Sequence, residues 1–325
     1  MGNQFGVVVI GRNEGERLKS CLASLVGQTE RVVYVDSGST DGSLGVARNF
    51  GVSVIELDAS VKFTAARARN EGAFRLRDLS PEITYIQFVD GDCEVNKEWL
   101  GHASNFLNQH SAAVVVCGRL RERYPQHSIY NLMCDIEWDT PIGETKACGG
   151  IAMMRMDAFM AVGGFRADLI AGEEPELCVR LRAVGGGIYR IDAEMALHDA
   201  AITQFGQWWN RSVRSGHAYA EGVYLHGFSP ERHWVRESRS SWFWGLGIPV
   251  LIALAMMVWG VYGLLGALVY PVQILRLALR DRKSSPAPWW RSMFLVLGKF
   301  PEVLGQLSFF FTRLQGKTSR LIEYK

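Results

Sequence analysis

From Ser240 to Leu275 the chain runs "SSWFWGLGIPVLIALAMMVWGVYGLLGALVYPVQIL", 36 residues without an aspartate, glutamate, lysine or arginine. One membrane crossing needs only about 20 apolar residues, so this length fits two short crossings better than one. Arg232, Arg236 and Arg239 precede the run, and Arg276, Arg280, Arg282 and Lys283 follow it. The positive-inside rule then puts both ends in the cytosol. The expectation is a helical hairpin turning near Gly260 to Gly266, with a re-entrant loop as the other geometry. A buried helix of a soluble protein is the plain alternative, but it is shorter than this and does not carry tryptophans at 242, 244 and 259. Beyond the run, "WWRSMFLVLGKFPEVLGQLSFFFTRLQGK" mixes Arg291, Lys299 and Glu302 into apolar sequence. That pattern predicts an interfacial amphipathic helix, broken near Pro301. The expected divisions are 1–225 for an amino-terminal domain, 226–283 for the hairpin and 284–325 for the tail.

The first 225 residues have a different rhythm. "FGVVVIG", "RVVYVD", "GVSVIELD" and "TYIQFVDGD" are short apolar runs, separated by segments with helical spacing such as Leu18, Cys21, Leu22 and Leu25. Alternation of this kind predicts an α/β fold with a mixed, mainly parallel sheet covered by helices on both faces. A net charge of +2 without a basic block gives nucleic acid no electrostatic footprint, so no nucleic-acid partner is expected. Six cysteines lack CxxC or zinc spacing and read as core thiols of a reducing compartment. The start "MGNQFGVVVIGRNEGE" has neither a signal-peptide core nor a myristoylation pattern, so the bulk of the chain is expected to begin in the cytosol.

Ligands of open α/β sheets bind beyond the carboxyl ends of the strands. Arg12, Asn13 and Glu14 follow the first expected strand, Asp36, Ser37 and Ser39 the second, and Asp90 and Asp92 the fourth. Each has an ordinary reading as a turn or capping residue. Their joint arrival along one edge argues for a site. Two carboxylates at a strand terminus repel unless a cation is present, and a hard Mg²⁺ or Mn²⁺ held by one or two carboxylates and substrate phosphates resolves the conflict.

The ordered segments "VVVIGRNEG", "VVYVDSGSTDGS", "AARARNEGA", "FVDGDCEV", "GGIAMMRMDAFMAVGGF" and "GEEPELCVRLR" resemble a family 2 glycosyltransferase of the GT-A fold, over roughly residues 4 to 220. The resemblance implies inverting transfer of a sugar from a nucleoside-diphosphate donor, assisted by Mn²⁺ or Mg²⁺. It implies that Arg12, Asn13, Glu14, Asp36 and Ser39 hold the nucleoside, that Arg69 and Asn70 approach base and ribose, and that Asp90 and Asp92 are the metal-site pair. In that pair Asp92 is the direct metal ligand and Asp90 faces a ribose or a metal-bound water. The family has Glu-Asp where this chain has Glu173-Glu174. Glu174 matches the base and Glu173 is its neighbour, although an acid-rich first turn of a helix reads the same way. His198 resembles the histidine that completes the metal or diphosphate site.

Arg211, Arg214 and His217 recur at threes, near one helical face, and are candidates for the diphosphate; an amphipathic helix with solvated arginines is the plain reading. Arg119, Arg121 and Arg123 alternate as on one strand face and read as a solvated edge. Gly149 and Gly150 are expected where a backbone approaches sugars, and the preceding "YPQHSIYNLMCDIEWDTPIGE" reads as a loop suited to sugar contacts.

Membrane attachment points to a lipid-linked saccharide acceptor for exopolysaccharide or capsule synthesis at the cytoplasmic membrane, with polyprenyl phosphate as the alternative acceptor. A processive synthase is disfavoured because "QWWNR" only partly echoes a Gln-x-x-Arg-Trp segment. Nucleotidyl transfer is disfavoured because "VVVIGRNEGERLK" lacks a glycine-rich, lysine-containing loop. A catalytically silent nucleotide-binding scaffold is the reading of another class.

Overall fold

The computed structural model describes residues 5–316. The expected domain limits at residues 1–4 and 317–325 therefore lie outside the described residues. The chain divides into two compact units, one formed by the described residues up to Tyr124 with Glu137–Ala200, the other by Pro125–Ile136 with the described residues from Ala201 onward.

The first unit is a mixed sheet. Its strands are β1 (Phe5–Gly11), β2 (Val32–Asp36), β3 (Ser53–Glu56), β4 (Tyr85–Asp90), β5 (Cys93–Val95), β6 (Ala113–Glu122), β7 (Gly143–Glu144), β8 (Ala152–Arg155) and β9 (Gly187–His198). They lie in the order β3-β2-β1-β4-β8-β6-β9-β5, with β7 beside β9. The pairs among β1, β2, β3 and β4 are parallel, as is β6 with β9, whereas β8 runs antiparallel to both β4 and β6. The fold is thus the expected mixed, mostly parallel sheet flanked by helices.

Val7, Val8 and Val9 are all buried, as a central strand covered on both faces requires. The helix Ala65–Leu79 covers β1 and β2 through Gly72, where a Cβ would lie 3.0 Å from Val35 Cγ2 and closer still to Val8. A larger residue would hold the helix off the sheet. Helix Glu16–Leu25 buries Leu18, Cys21, Leu22 and Leu25, the spacing read from sequence. The six cysteines are free thiols, and five of them are buried.

Two expectations are corrected. The stretch read as a loop before Gly149 contains the helix Ile129–Trp138 and strand β7. Strand β6 shifts register against β9 between Cys117 and Arg119 and again between Arg119 and Leu120, so strict alternation fails. Arg119 is consequently buried near Asp139 (3.4 Å), while Arg121 is exposed and paired with Glu194 (2.6 Å).

The second unit is helical. Helix Phe205–His226 packs on helix Lys299–Leu314 through two glycines, Gly216 against the backbone of Glu302 and Gly305 against that of Val213. Trp208 lies against Tyr130 and Phe294, and Gln306 is buried with its Oε1 accepting from the Ser238 hydroxyl at 2.6 Å. The C-terminal helix is interrupted at Gly298, ahead of Pro301. Pro301 has no N–H to give the carbonyl of Leu297, so the irregularity falls in the turn before the proline.

Two helical stretches, Val235–Asp281 and Pro288–Leu314, are long and apolar enough to cross a membrane. Within the first, a π-helical turn Phe243–Gly247 precedes helix Ile248–Trp259. Pro249 offers no N–H to Gly245, which accounts for the local widening.

Candidate active site

Strand register brings the polar residues to one edge. Gly11 pairs with Asp36, and Ile10 with Asp90, so β1, β2 and β4 end at one level. Gly91 tucks under β1, its N–H bonded to the Ile10 carbonyl at 2.8 Å. Cys93 of β5 is directly opposite His198 of β9. These pairings carry Asp92 to His198, whose Nε2 is 3.2 Å from Asp92 Oδ1.

Asp92, Cys93 and His198 offer ligand atoms within 4.8 Å of one another. Carboxylate and imidazole donors suit Mn²⁺, and Mg²⁺ through the carboxylate. His198 Nδ1 is buried without a hydrogen-bond partner among the described residues, and the Trp138 ring lies 4.7 Å from the imidazole. Glu122 holds the segment that follows: its carboxylate accepts from the N–H of Ala200 (2.9 Å) and of Tyr124 (3.0 Å). Burial raises the pKa of this carboxyl.

Asp90 takes a different course from Asp92. Its Oδ1 faces Arg69 Nη2 at 2.8 Å, and Arg69 Nη1 reaches Glu173 Oε1 at 2.6 Å. A guanidinium fork bridges the strand end to the helix Glu173–Ala183, stacked 5.6 Å from the Phe165 ring. The two carboxylates hold Arg69 ionised against its burial, and its pKa rises. Gly150 lies on this pair, since a Cβ there would come within 3.3 Å of Asp90 Oδ2 and closer to Arg69. Asn70 is an internal tie, its amide nitrogen donating to the Phe165 carbonyl at 2.7 Å and its oxygen accepting from the Phe165 N–H at 2.9 Å.

Glu174 is buried, with one oxygen accepting from Cys148 N–H (2.8 Å) and Cys178 Sγ (2.9 Å), the other from Gly149 N–H (3.0 Å). Burial pushes its pKa up to about 6, against the opposing pull of those donors. Such a carboxyl is poised to exchange a proton near neutrality.

The loops after β1 and β2 are knitted together. Ser39 Oγ accepts from the Asn13 N–H (2.9 Å), and Asn13 Oδ1 accepts from the Thr40 N–H (2.7 Å). Asp36 uses both oxygens inward, accepting from the Tyr34 hydroxyl (2.9 Å) and from the N–H groups of Gly38 (2.9 Å) and Ser39 (2.7 Å). Glu14 pairs with Arg17 at 2.8 Å. Arg12 is exposed, with its guanidinium 5.9 Å from the Phe63 ring.

The structure thus brings Arg12, Asn13, Glu14, Asp36, Ser39, Arg69, Asp90, Asp92, Glu173, Glu174 and His198 to the strand-end region of one unit. Arg211 and Arg214 belong to the other unit, on helix Phe205–His226. His217, on the same helix, is buried 5.4 Å from the Phe309 ring and is a core residue there. Sequence reasoning did not single out Phe63, Trp138, Glu122 or the backbone amides of Cys148 and Gly149. The glycine pair was the one signal pointing to the last of these.

A family model described as "Glycosyl transferase family 2" matches residues 6–163. Glycosyltransferase AglE of Haloferax volcanii is 23% identical over 223 residues, 65% of this chain and 71% of that protein. Among solved structures, the mannosyltransferase PcManGT from Pyrobaculum calidifontis in complex with GDP-Man and Mn²⁺ superposes with a TM-score of 0.61 at 18% identity, covering 94% of this chain and 87% of that one. TarS 1-349 of S. aureus in complex with UDP-GlcNAc gives a TM-score of 0.51 at 18% identity, over 97% of this chain and 93% of that one.

Proposed function

This chain is a family 2 glycosyltransferase with the GT-A fold, using a nucleotide-sugar donor, and on that premise we propose an inverting, metal-dependent transfer to a membrane-associated acceptor. The observation that carries the reading is the closure of Asp92 on His198, 3.2 Å apart, on the edge where Arg69 joins Asp90 to Glu173. Asp92 and His198 would hold Mn²⁺ or Mg²⁺, which when bound supplies positive charge to the departing diphosphate. Asp90 faces the donor beside them.

Glu174 is the base that takes the proton of the attacking hydroxyl, and Glu173, fixed by Arg69, orients the acceptor. The loop amides that Glu174 holds, Cys148 and Gly149, form the wall against which the sugars lie. Arg12, Asn13, Glu14, Asp36 and Ser39 shape the nucleoside end, with Asn70 bracing it from below. The donor is taken as a UDP-sugar, with GDP-sugars as the competing class, since the solved neighbours hold one of each.

The acceptor is a polyprenyl-linked saccharide, of the kind extended in exopolysaccharide or capsule synthesis. Two apolar helical stretches support attachment to the bilayer. Arginines on both flanks of the first support a cytosol-facing catalytic unit at the cytoplasmic membrane.

The test is nucleotide release from UDP-, GDP- and dTDP-sugars by detergent-purified protein, with Mn²⁺ or EDTA and a polyprenyl-glycan extract. Release from one donor that needs both metal and extract is the expected result. Asp92→Asn and Glu174→Gln proteins that fold normally should not transfer. Full activity in both would overturn the assignment, and nucleotide binding without turnover on any donor would favour a silent scaffold.

A further inference from the structure

The charge-free stretch is folded back on itself. Helix Ile248–Trp259 ends at Gly260, whose φ of +60° and ψ of −143° suit only glycine, and the return arm is the 3₁₀ helix Gly260–Leu268 followed by helix Val269–Asp281. Gly263 rests against the backbone of Ala255 and Met256, leaving no room for a Cβ, and a Cβ on Gly266 would lie 3.1 Å from Ile252 Cγ1. Lower down, the Tyr270 hydroxyl donates to the Trp244 carbonyl at 2.8 Å. Near that level Gly245 abuts Lys299, Tyr270 lies 5.6 Å from Phe300, and Lys299 pairs with Glu302 at 2.6 Å. The hairpin therefore has a charged base and an apolar tip.

The arms are short. Leu246 to Trp259 rises about 21 Å as α-helix, and Gly260 to Val269 returns over about 20 Å in 3₁₀ geometry. A hydrocarbon core is about 30 Å thick, with polar headgroups beyond it. An arm of this length passes the midplane without reaching the far side. The tip is also largely apolar: Met257 is 81% exposed, Val258, Trp259 and Val261 are exposed beside it, and the Trp259 indole N–H and the Tyr262 hydroxyl are its polar side-chain groups. Apart from Gly260, whose backbone is not helical, the residues from Val235 to Asp281 are helical, so the chain turns at a single residue without a stretch of open coil. That continuity is what a turn inside hydrocarbon requires.

We propose that residues 246–269 form a re-entrant hairpin that enters and leaves the bilayer on one face, with its tip in the hydrocarbon interior. This rests on the membrane-attachment reading above and replaces two full crossings with a wedge. The side chains around the tip would then contact acyl chains near the midplane, while Lys299, Glu302 and the flanking arginines remain at the headgroups.

The test uses the full chain in membranes, with Tyr262→Cys or Val258→Cys at the tip and Ser284→Cys, an exposed position, near the base. Sealed right-side-out and inside-out vesicles are treated with a membrane-impermeant maleimide, and labelling is read against the parent protein. The expected result is tip labelling at parent level from either side, appearing after detergent is added, with Ser284→Cys labelled in inside-out vesicles alone. Tip labelling in right-side-out vesicles would establish two crossings and overturn the wedge. Tip labelling in inside-out vesicles alone would place the hairpin outside the bilayer and overturn it equally. Recovery of the parent protein in the soluble fraction would instead defeat membrane attachment itself. Two tip positions guard against one variant failing to fold.

Discussion

The strand-end site and the C-terminal hairpin use similar apolar residues in opposite ways. In the sheet, Val8 is fully buried and the charged groups lie at the strand ends; in the hairpin, Tyr262 is 75% exposed and charge is confined to the base. Burial against protein organises the first, whereas the second turns apolar side chains outward, as the proposed place in hydrocarbon requires. Glycine serves both regions by removing a side chain. Gly150 lets a backbone rest on the Arg69–Asp90 pair, and Gly263 lets one helical arm touch the other.

Breaking the polar edge should have the largest consequence. Glu174→Gln should lower transfer by about 10²- to 10⁴-fold, measured as nucleotide release at saturating donor, with circular dichroism unchanged. In the core beneath it, Phe88 packs on Phe159 and Phe165 with ring centroids 5.3 and 5.2 Å away. Phe88→Ala should cost about 3–5 kcal/mol of stability, visible in the denaturation midpoint.

Arg69→Met removes the cation that joins Asp90 to Glu173. A loss of about 3 kcal/mol is expected, relieved at acid pH where the carboxylates protonate. A midpoint that does not depend on pH would show that the fork is not what joins strand and helix.

The pH dependence of Glu174 sharpens the contrast between structural and chemical roles. Its pKa is raised from 4.5 to about 6 in the folded protein. Folding therefore favours the protonated form. The associated stabilisation, about 2 kcal/mol, is complete below pH 4.5 and lost as pH rises through 6. Catalysis runs the other way, because a base must be ionised: transfer should rise with pH along a limb centred near 6. Absence of this limb in the rate profile would shift the role of base to Glu173.

The smallest effect should come from the hairpin. Met257→Ser removes no protein packing of consequence, so the denaturation midpoint of the detergent-solubilised protein should move by less than about 0.5 kcal/mol. Partitioning into lipid vesicles should nevertheless fall. A large loss of stability at this position would mean that the hairpin is packed against protein.

Much of the catalytic unit was legible because its signals are local. Short β-branched runs, the 3.6-residue spacing of Leu18, Cys21, Leu22 and Leu25, and carboxylates just past the strands are visible along the chain. The family resemblance was carried by the same strand-end segments, and the family model matches across most of that region. The charge-free run of 36 residues was likewise legible as helix long and apolar enough to cross a membrane.

Tertiary structure decided what depends on register and on distant partners. A two-residue step separates Asp90 from Asp92, yet one pairs with Arg69 and the other with His198, because β4 ends before the turn and β5 begins after it. Bulges in β6 turned Arg119 inward, and alternation along the sequence cannot reveal a bulge. Glu174 owes its raised pKa to burial, against the pull of the Cys148 and Gly149 amides, which lie 26 and 25 positions away. Composition and periodicity report the medium around each residue, whereas the partner of a charge is fixed by strand pairing and packing, which no local window contains.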